Sequence, residues 1–362
     1  MLPHAPCLAF PAIPWERDAP GAGEVLIIPG SREDSMRTAL RLLLIAALLA
    51  AFAGAGGAGP AFPDRPVEII APAGVGGGWD TLSRMTARTL AEEKLVTQPI
   101  TVTNMPGGSG AVAIAHVVTR RKGDAYTLIA FSPALSLTIV NRNTPYSYKD
   151  VIPITALSTD YGVLVVRKDS TINNLRTLFE VLKRDPNAGV VAGGSAPGSM
   201  DHIIFAKAAK AGGVDPLKVR YIPFQGGGEA LAALLGGSAS VLSTGASEVL
   251  GQLQAGTVRV LAIMSEQRLG GAFRSVPTAI EQGYNVTFPI WRGFYGPPEM
   301  PASAVKFWEE TLVKMTKTKG WEKVLNDTQW FSFVVSGERF RRFLDEDTKN
   351  FDSLLRDLGF VK

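Results

Sequence analysis

Beyond Asp64, short apolar runs alternate with longer segments of helical period as far as about residue 264, and this alternation limits the fold more than any other feature. Strands are expected at Val67–Ile70, Ile100–Asn104, Thr127–Phe131, Gly162–Val166, Val190–Gly193, Val219–Ile222, Ala239–Ser243 and Val258–Met264. Helices are expected between them, at Asp80–Glu93, Ala111–Thr119, Leu175–Lys183, Met200–Ala211, Glu229–Leu235 and Glu248–Gln254. Strand and helix in repeated succession build α/β domains with largely parallel sheets. The C-terminal third departs from this: Trp291–Pro301 is rich in aromatics, Gly and Pro, and two or three long helices follow it without clear strands. In the last of them Phe340, Phe343, Leu344, Phe351, Leu354, Leu355 and Leu358 share one face. That face is expected to close back over the N-terminal domain, which would make the domain discontinuous.

The glycines concentrate where the strands end. Ala71 to Asp80 reads Ala-Pro-Ala-Gly-Val-Gly-Gly-Gly-Trp-Asp, between a strand and a helix face of Leu82, Met85, Thr89 and Leu90. Glycine lets the backbone approach a ligand, and a helix start offers unpaired N–H groups with a partial positive charge, so an anionic carboxylate would be stabilised there. The same residues also fit a plain tight turn with Asp80 as N-cap and Arg84 as its ion-pair partner. A second turn, Asn104–Gly110, again lies between strand and helix, and open sheets bind ligands at that edge. Gly193–Ser199 and Phe224–Glu229 are a third and a fourth, and two from each half of the chain suggest a cleft. Arg292, in Trp291-Arg292-Gly293-Phe294-Tyr295, could pair with a carboxylate while Trp291 walls a pocket; alternatively the segment is a core strand with a solvated arginine.

Several chemistries find no support. No glycine cluster continues into Gly-Lys-Ser/Thr, and Gly74-x-Gly76 meets Trp79 where a dinucleotide site needs glycine. Ser109 and Ser195 lack the spacing of a nucleophile elbow, and His202 beside Ser199 and Asp201 suits capping or packing better than a relay. The three histidines have no partners at metal-ligand spacing, so neither metal nor cofactor is expected. Beyond residue 61 the chain carries 33 basic and 28 acidic side chains, mildly suited to anions, but no basic run that would hold nucleic acid.

From Met36 the chain gives a basic start, an apolar run from Leu42 to Ala53 and small residues ending near Ala61, the order of a secretory signal. A run of about a dozen is short of the roughly 20 residues that span a membrane. Residues 1–35 are then an artefact of start-site choice, 36–61 a signal peptide removed on export, and the mature protein lacks Cys7, the one cysteine.

These segments, in this order, resemble the substrate-binding proteins of tripartite tricarboxylate transporters, the Bug family, over nearly all of Asp64–Lys362. The matching stretches are Pro66–Ile70 running into the Gly-Gly-Gly-Trp79-Asp80 turn, Asn104–Gly110, Gly193–Asp201, Ala230–Gly237, Arg259–Ala262, Val276–Thr278 with Glu281–Tyr284, and Trp291–Gly293. The resemblance implies a type II periplasmic-binding-protein fold, α/β, with two lobes joined by crossing strands and a ligand cleft between them. The lobes are expected at 62–161 plus 287–362 and at 162–286. It implies a ligand carboxylate held by Gly76, Gly77, Gly78 and Asp80, and by Gly107, Gly108, Ser109 and Gly110, with Ser132, Ser195 and Thr244 as further contacts, and Trp79 and Arg292 are counted with them as candidate ligand-binding residues. Trp79 before Asp80 is similar to the tricarboxylate branch, so citrate-like acids come first, with di- and monocarboxylates open. Phe224-Gln225-Gly226 stands where many relatives carry Tyr-Lys-Gly, removing a cation from the second lobe. The implied protein is no enzyme; it is a periplasmic monomer serving a permease of two membrane subunits. A ligand sensor for a membrane kinase and a secreted hydrolase are the alternatives.

Overall fold

Val67, Ile69, Ile70 and Ala71 are wholly buried in β1 (Val67–Ala71), as suits a strand covered on both faces. In the computed structural model, which describes residues 36–37, 41–42 and 62–361, β1 pairs in parallel with β2 (Ile100–Asn104) and β3 (Thr127–Phe131). Helices α1 (Gly78–Glu92) and α2 (Ala111–Arg120) form the crossovers, and α3 (Pro133–Val140) follows β3. Apart from the helical pairs 36–37 and 41–42, the expected start-site artefact and signal peptide lie outside the described residues.

The chain then enters β4 (Ile152–Arg167), which serves two groups of strands. Up to Tyr161 it pairs with β9 (Pro289–Gly296) and β10 (Phe331–Ser336); from Gly162 it pairs with β7 (Val241–Gly245) and β8 (Val258–Ile263). β5 (Val190–Gly193) lies in parallel between β6 (Arg220–Pro223) and β7. The order is β2-β1-β3-β9-β4-β7-β5-β6, with β8 and β10 both on β4.

The sheet is therefore mixed rather than largely parallel. Every pairing of β4 or β9 is antiparallel, because one strand carries the chain into the second half and the other brings it back. The first ten residues of β4 hide from hydropathy, since Thr155, Ser158 and Asp160 are buried there among apolar neighbours. β10 corrects the expectation that the C-terminal third lacks strands; it is short, largely exposed and interrupted by a bulge. α3 shows no helical period because Pro133 to Thr138 are all buried.

The second half adds α4 (Leu175–Arg184), α5 (Met200–Ala211), α6 (Gly227–Leu235) and α7 (Leu250–Gln254), and the return adds α8 (Ala302–Met315), α9 (Lys319–Thr328) and α10 (Gly337–Leu358). α10 lays its apolar face on α3 and β4, and it also reaches α5, where Asp357 pairs with Lys210 at 2.7 Å. Phe340 is its anchor, fully buried against Trp291 and Tyr295 with ring centroids 5.7 and 5.8 Å away. Replacing a buried aromatic by alanine typically costs ~3–5 kcal/mol. Phe340→Ala is expected to lose that much in urea denaturation, and an unchanged midpoint would show that α10 is not part of the cooperative unit.

Candidate functional site

The four glycine turns meet around one cavity of about 220 Å3. The first supplies Gly77, Gly78 and Trp79, the second Gly107, Gly108 and Ser109, the third Gly194, Ser195, Ala196 and Pro197, and the fourth Phe224, Gln225, Gly226 and Gly227. Close backbone approach explains two of the glycines. A methyl group at Gly78 would come within 2.2 Å of Arg292 Nη1, and one at Gly194 within 2.3 Å of the Gly227 nitrogen.

Helix starts accompany the turns. α1, α5 and α6 all begin at the cavity, and none is capped by the side chain of its N-cap residue. The positive ends of their dipoles converge on the same space, an arrangement suited to an anion, although in α5 the Asp201 amide is already met by Ser195 Oγ. α3 also begins there, but Ser132 Oγ already accepts from the Ala134 amide at 3.3 Å.

Of the residues singled out in the sequence, Gly77, Gly78, Trp79, Gly107, Gly108, Ser109, Ser132, Ser195 and Arg292 line this cavity. Gly76, Asp80, Gly110 and Thr244 do not. Asp80 is a brace. Its Oδ2 accepts from the Gly76 amide at 3.0 Å, and its Oδ1 accepts from Arg84 Nε at 2.9 Å and Asn104 Nδ2 at 2.8 Å, tying the first turn to the second. Burial acts against its charge, but the hydrogen bonds from Arg84, Gly76 and Asn104 hold the carboxyl below its ordinary range. The helix itself is capped by Gly77, not Asp80.

Ser109 sits in the left-handed region, at φ 51° and ψ 48°, and its Oγ accepts from the Ala196 amide at 2.6 Å. The Gly74 amide donates to the Gln225 carbonyl at 3.0 Å. The first turn is thus joined to the fourth and the second to the third. Ser195 Oγ accepts from the Asp201 amide at 2.9 Å. His202 Nδ1 accepts from the Gly198 amide at 3.1 Å while its ring stacks on Tyr221 at 4.2 Å, and burial lowers it to about 4. Ser109 has no base beside it among the described residues, and the Ser195 hydroxyl, besides the Asp201 amide, meets only the neighbouring Asp201 carboxyl, which it helps to stabilise.

β9 alternates, so Arg292 faces the cavity while Trp291 points to the other side of the sheet and donates to Asp347 Oδ2 at 3.2 Å. Arg292 is not solvated: it is 1% exposed and donates from Nη2 to Asp160 Oδ2 at 3.0 Å. Asp160, Asp201 and Glu248 escaped sequence reasoning. Two of them stand inside apolar stretches, Asp160 in β4 and Asp201 just ahead of Ile203-Ile204-Phe205, and that position was the available signal. Glu248 lies in a short helical turn, Ala246–Val249, and lines the cavity with Asp201. Among the described residues no group of three or more His, Cys, Asp or Glu could hold a metal ion.

The arrangement is that of a solute-binding receptor. The chain belongs to the family described as "Tripartite tricarboxylate transporter family receptor", which matches residues 83–360, and it is not an enzyme. The protein BugT of Bordetella pertussis is 25% identical over 327 residues, spanning 88% of this chain and 98% of its own length. Among solved structures, the periplasmic binding protein BugD superposes with a TM-score of 0.76 at 21% identity, covering 83% of this chain and 99% of its own. MatC from Rhodopseudomonas palustris, solved with bound malate, gives 0.72 at 22%, covering 81% and 100%. The fold is that of the periplasmic binding proteins.

Burial pushes the Glu248 carboxyl up to about 7; Arg292 opposes the rise and Asp160 adds to it. A carboxyl raised in the folded state favours folding in its protonated form. Its contribution is full below the ordinary value near 4.5 and is lost as pH rises through about 7. His202 acts oppositely, its contribution complete by about 6.5. Between pH 5 and pH 8 the melting temperature of Glu248→Gln is therefore expected to gain a few degrees on the unsubstituted protein, at roughly 2–4 °C per kcal/mol. Parallel pH profiles would place the Glu248 carboxyl in water.

Proposed function

We propose that the chain is an extracytoplasmic receptor that captures a small carboxylate and delivers it to the membrane subunits of a tripartite tricarboxylate transporter. The observation that carries this reading is the convergence of helix starts and glycine turns on one polar cavity, where backbone amides can hold a carboxylate without a dedicated lysine. The malate seen in MatC, a structural neighbour, is of this chemical class. Gly77, Gly78, Trp79, Gly107 and Gly108 form the carboxylate-holding wall, with Arg292 beneath. Gly76, Asp80 and Gly110 hold these turns in shape, and Thr244 backs the opposite wall. Citrate-like tricarboxylates lead the candidates by the Trp79-Asp80 pair, followed by di- and monocarboxylates.

Two lobes, 62–161 plus 287–362 and 162–286, close on the ligand about the crossing strands β4 and β9. Binding energy favours the closed state, so that the loaded form alone presents both lobes to the membrane partner. The signal over 36–61 directs export to the periplasm, where the receptor works as a monomer with a permease of two subunits.

A thermal-shift screen of the purified protein, refolded to remove carried-over ligand, against mono-, di- and tricarboxylates tests this. A ligand at 100 times its Kd stabilises by about 2.7 kcal/mol, a shift of several degrees at this size. At least one small carboxylate is expected to give it, and no shift with any acid would reject the reading.

A further inference from the structure

The cavity has two chemically different walls, and the difference concerns where positive helix ends remain open. On the first wall the start of α1 faces the cavity with no acidic side chain turned toward it, since Asp80 is directed away to Gly76, Arg84 and Asn104. On the second wall the corresponding positions are already taken by the chain's own acids. Asp201 stands in the first turn of α5. Glu248 presses on the start of α6, so closely that a methyl group at Gly227 would meet its Oε2 at 1.7 Å. The nearby cation is committed in part: Arg292 pairs through Nη2 with Asp160, whose Oδ2 also accepts from Ser247 Oγ at 2.6 Å, while Arg292 Nε has no partner among the described residues.

We propose, resting on the carboxylate-receptor reading above, that Asp201 and Glu248 determine specificity by selecting carboxylates that also carry a hydrogen-bond donor, an ammonium above a hydroxyl, and by rejecting those that turn a further ionised carboxylate toward this wall. Asp201 is 3% exposed, lines the cavity and has in Oδ1 an oxygen with no hydrogen-bond partner among the described residues. An unpaired buried acceptor costs free energy until a donor reaches it, and the ligand's face is where one can arrive. Burial raises Asp201 and the neighbouring charge of Glu248 raises it further, against the opposing pull of the Gly194 amide, the Ser195 hydroxyl and Arg292. An incoming anion would add to that repulsion, whereas an ammonium would relieve it. The ligand then lies with its carboxylate on the α1 wall and its donor on the α5 wall, an order that moves amino-bearing mono- and dicarboxylates ahead of the citrate-like acids favoured by the Trp79-Asp80 likeness.

Calorimetric titration with two matched sets, propionate, lactate and alanine, and succinate, malate and aspartate, isolates the substituent, because members of a set differ only in hydrogen, hydroxyl or ammonium. In at least one set affinity is expected to rise from the unsubstituted acid to the ammonium-bearing one by about tenfold to a hundredfold, as a hydrogen bond to a charged group implies. Asp201→Asn and Glu248→Gln, which keep shape, are expected to shrink that ratio within a set by about tenfold, the ammonium-bearing acid losing most. Equal affinity across both sets, or an equal loss for all members in both variants, overturns the proposal even where carboxylates bind. If no carboxylate binds at all, the receptor reading fails and this inference with it.

Discussion

The buried pair of Asp160 and Arg292 lies where the two groups of strands share the chain, and the cavity's geometry depends on it. Both side chains are 1% exposed, and taking two charges out of water costs several kcal/mol apiece. Asp160 has its remaining valences met within the fold, whereas Arg292 Nε has no hydrogen-bond partner among the described residues. Asp160 Oδ1 accepts from the Tyr161 amide at 2.8 Å, and Oδ2 accepts from Arg292 and from Ser247 of the second half. Arg292 in turn lies 5.0 Å from the Trp330 ring and presses Nη1 toward Gly78. One ion pair therefore positions the crossing strands, the Ala246–Val249 turn and the floor beneath the first glycine turn.

Around that pair the molecule distributes its backbone dipoles unequally. Helix starts from both halves point at the same space, but α3 is capped by Ser132 and α5 and α6 have Asp201 and Glu248 beside them, which sets the start of α1 apart. The turns also touch each other directly, through Gly74 to Gln225 and Ala196 to Ser109, so the cavity is roofed by hydrogen bonds that cross from one half to the other. Ser109 adopts a left-handed backbone that glycine would adopt more readily, a cost consistent with its hydroxyl being needed there.

Much of the fold was legible because its pieces obey local rules. β1 is a largely apolar run stopped by Pro72, β5 is an apolar run ending on Gly193, and α4 opens on Asn174, whose side chain accepts from the Thr177 amide. Other elements hide. The start of β4 places Thr155, Ser158 and Asp160 in the interior, which only neighbours in space can make affordable, and α3 is apolar on every side. In the cavity, the glycine turns announced themselves by composition. Glu248 did not, because an isolated acid near a helix start looks the same in sequence whether it faces water or a ligand, and Asp201 left only the signal of its place ahead of Ile203-Ile204-Phe205. Asp80 and Ser109 were noticed as site residues, yet what they do, bracing one turn and bridging two, follows from partners 24 and 87 positions away.

The central claim is that a ligand's carboxylate draws the two halves together across the cavity. Hydrogen exchange at the Gly74 and Ala196 amides measures this most directly, since both donate across the cleft. With a binding carboxylate present, both amides are expected to become protected together, while amides of β1 and β5 change little. Exchange at Gly74 and Ala196 that ignores a demonstrably bound ligand would contradict the account.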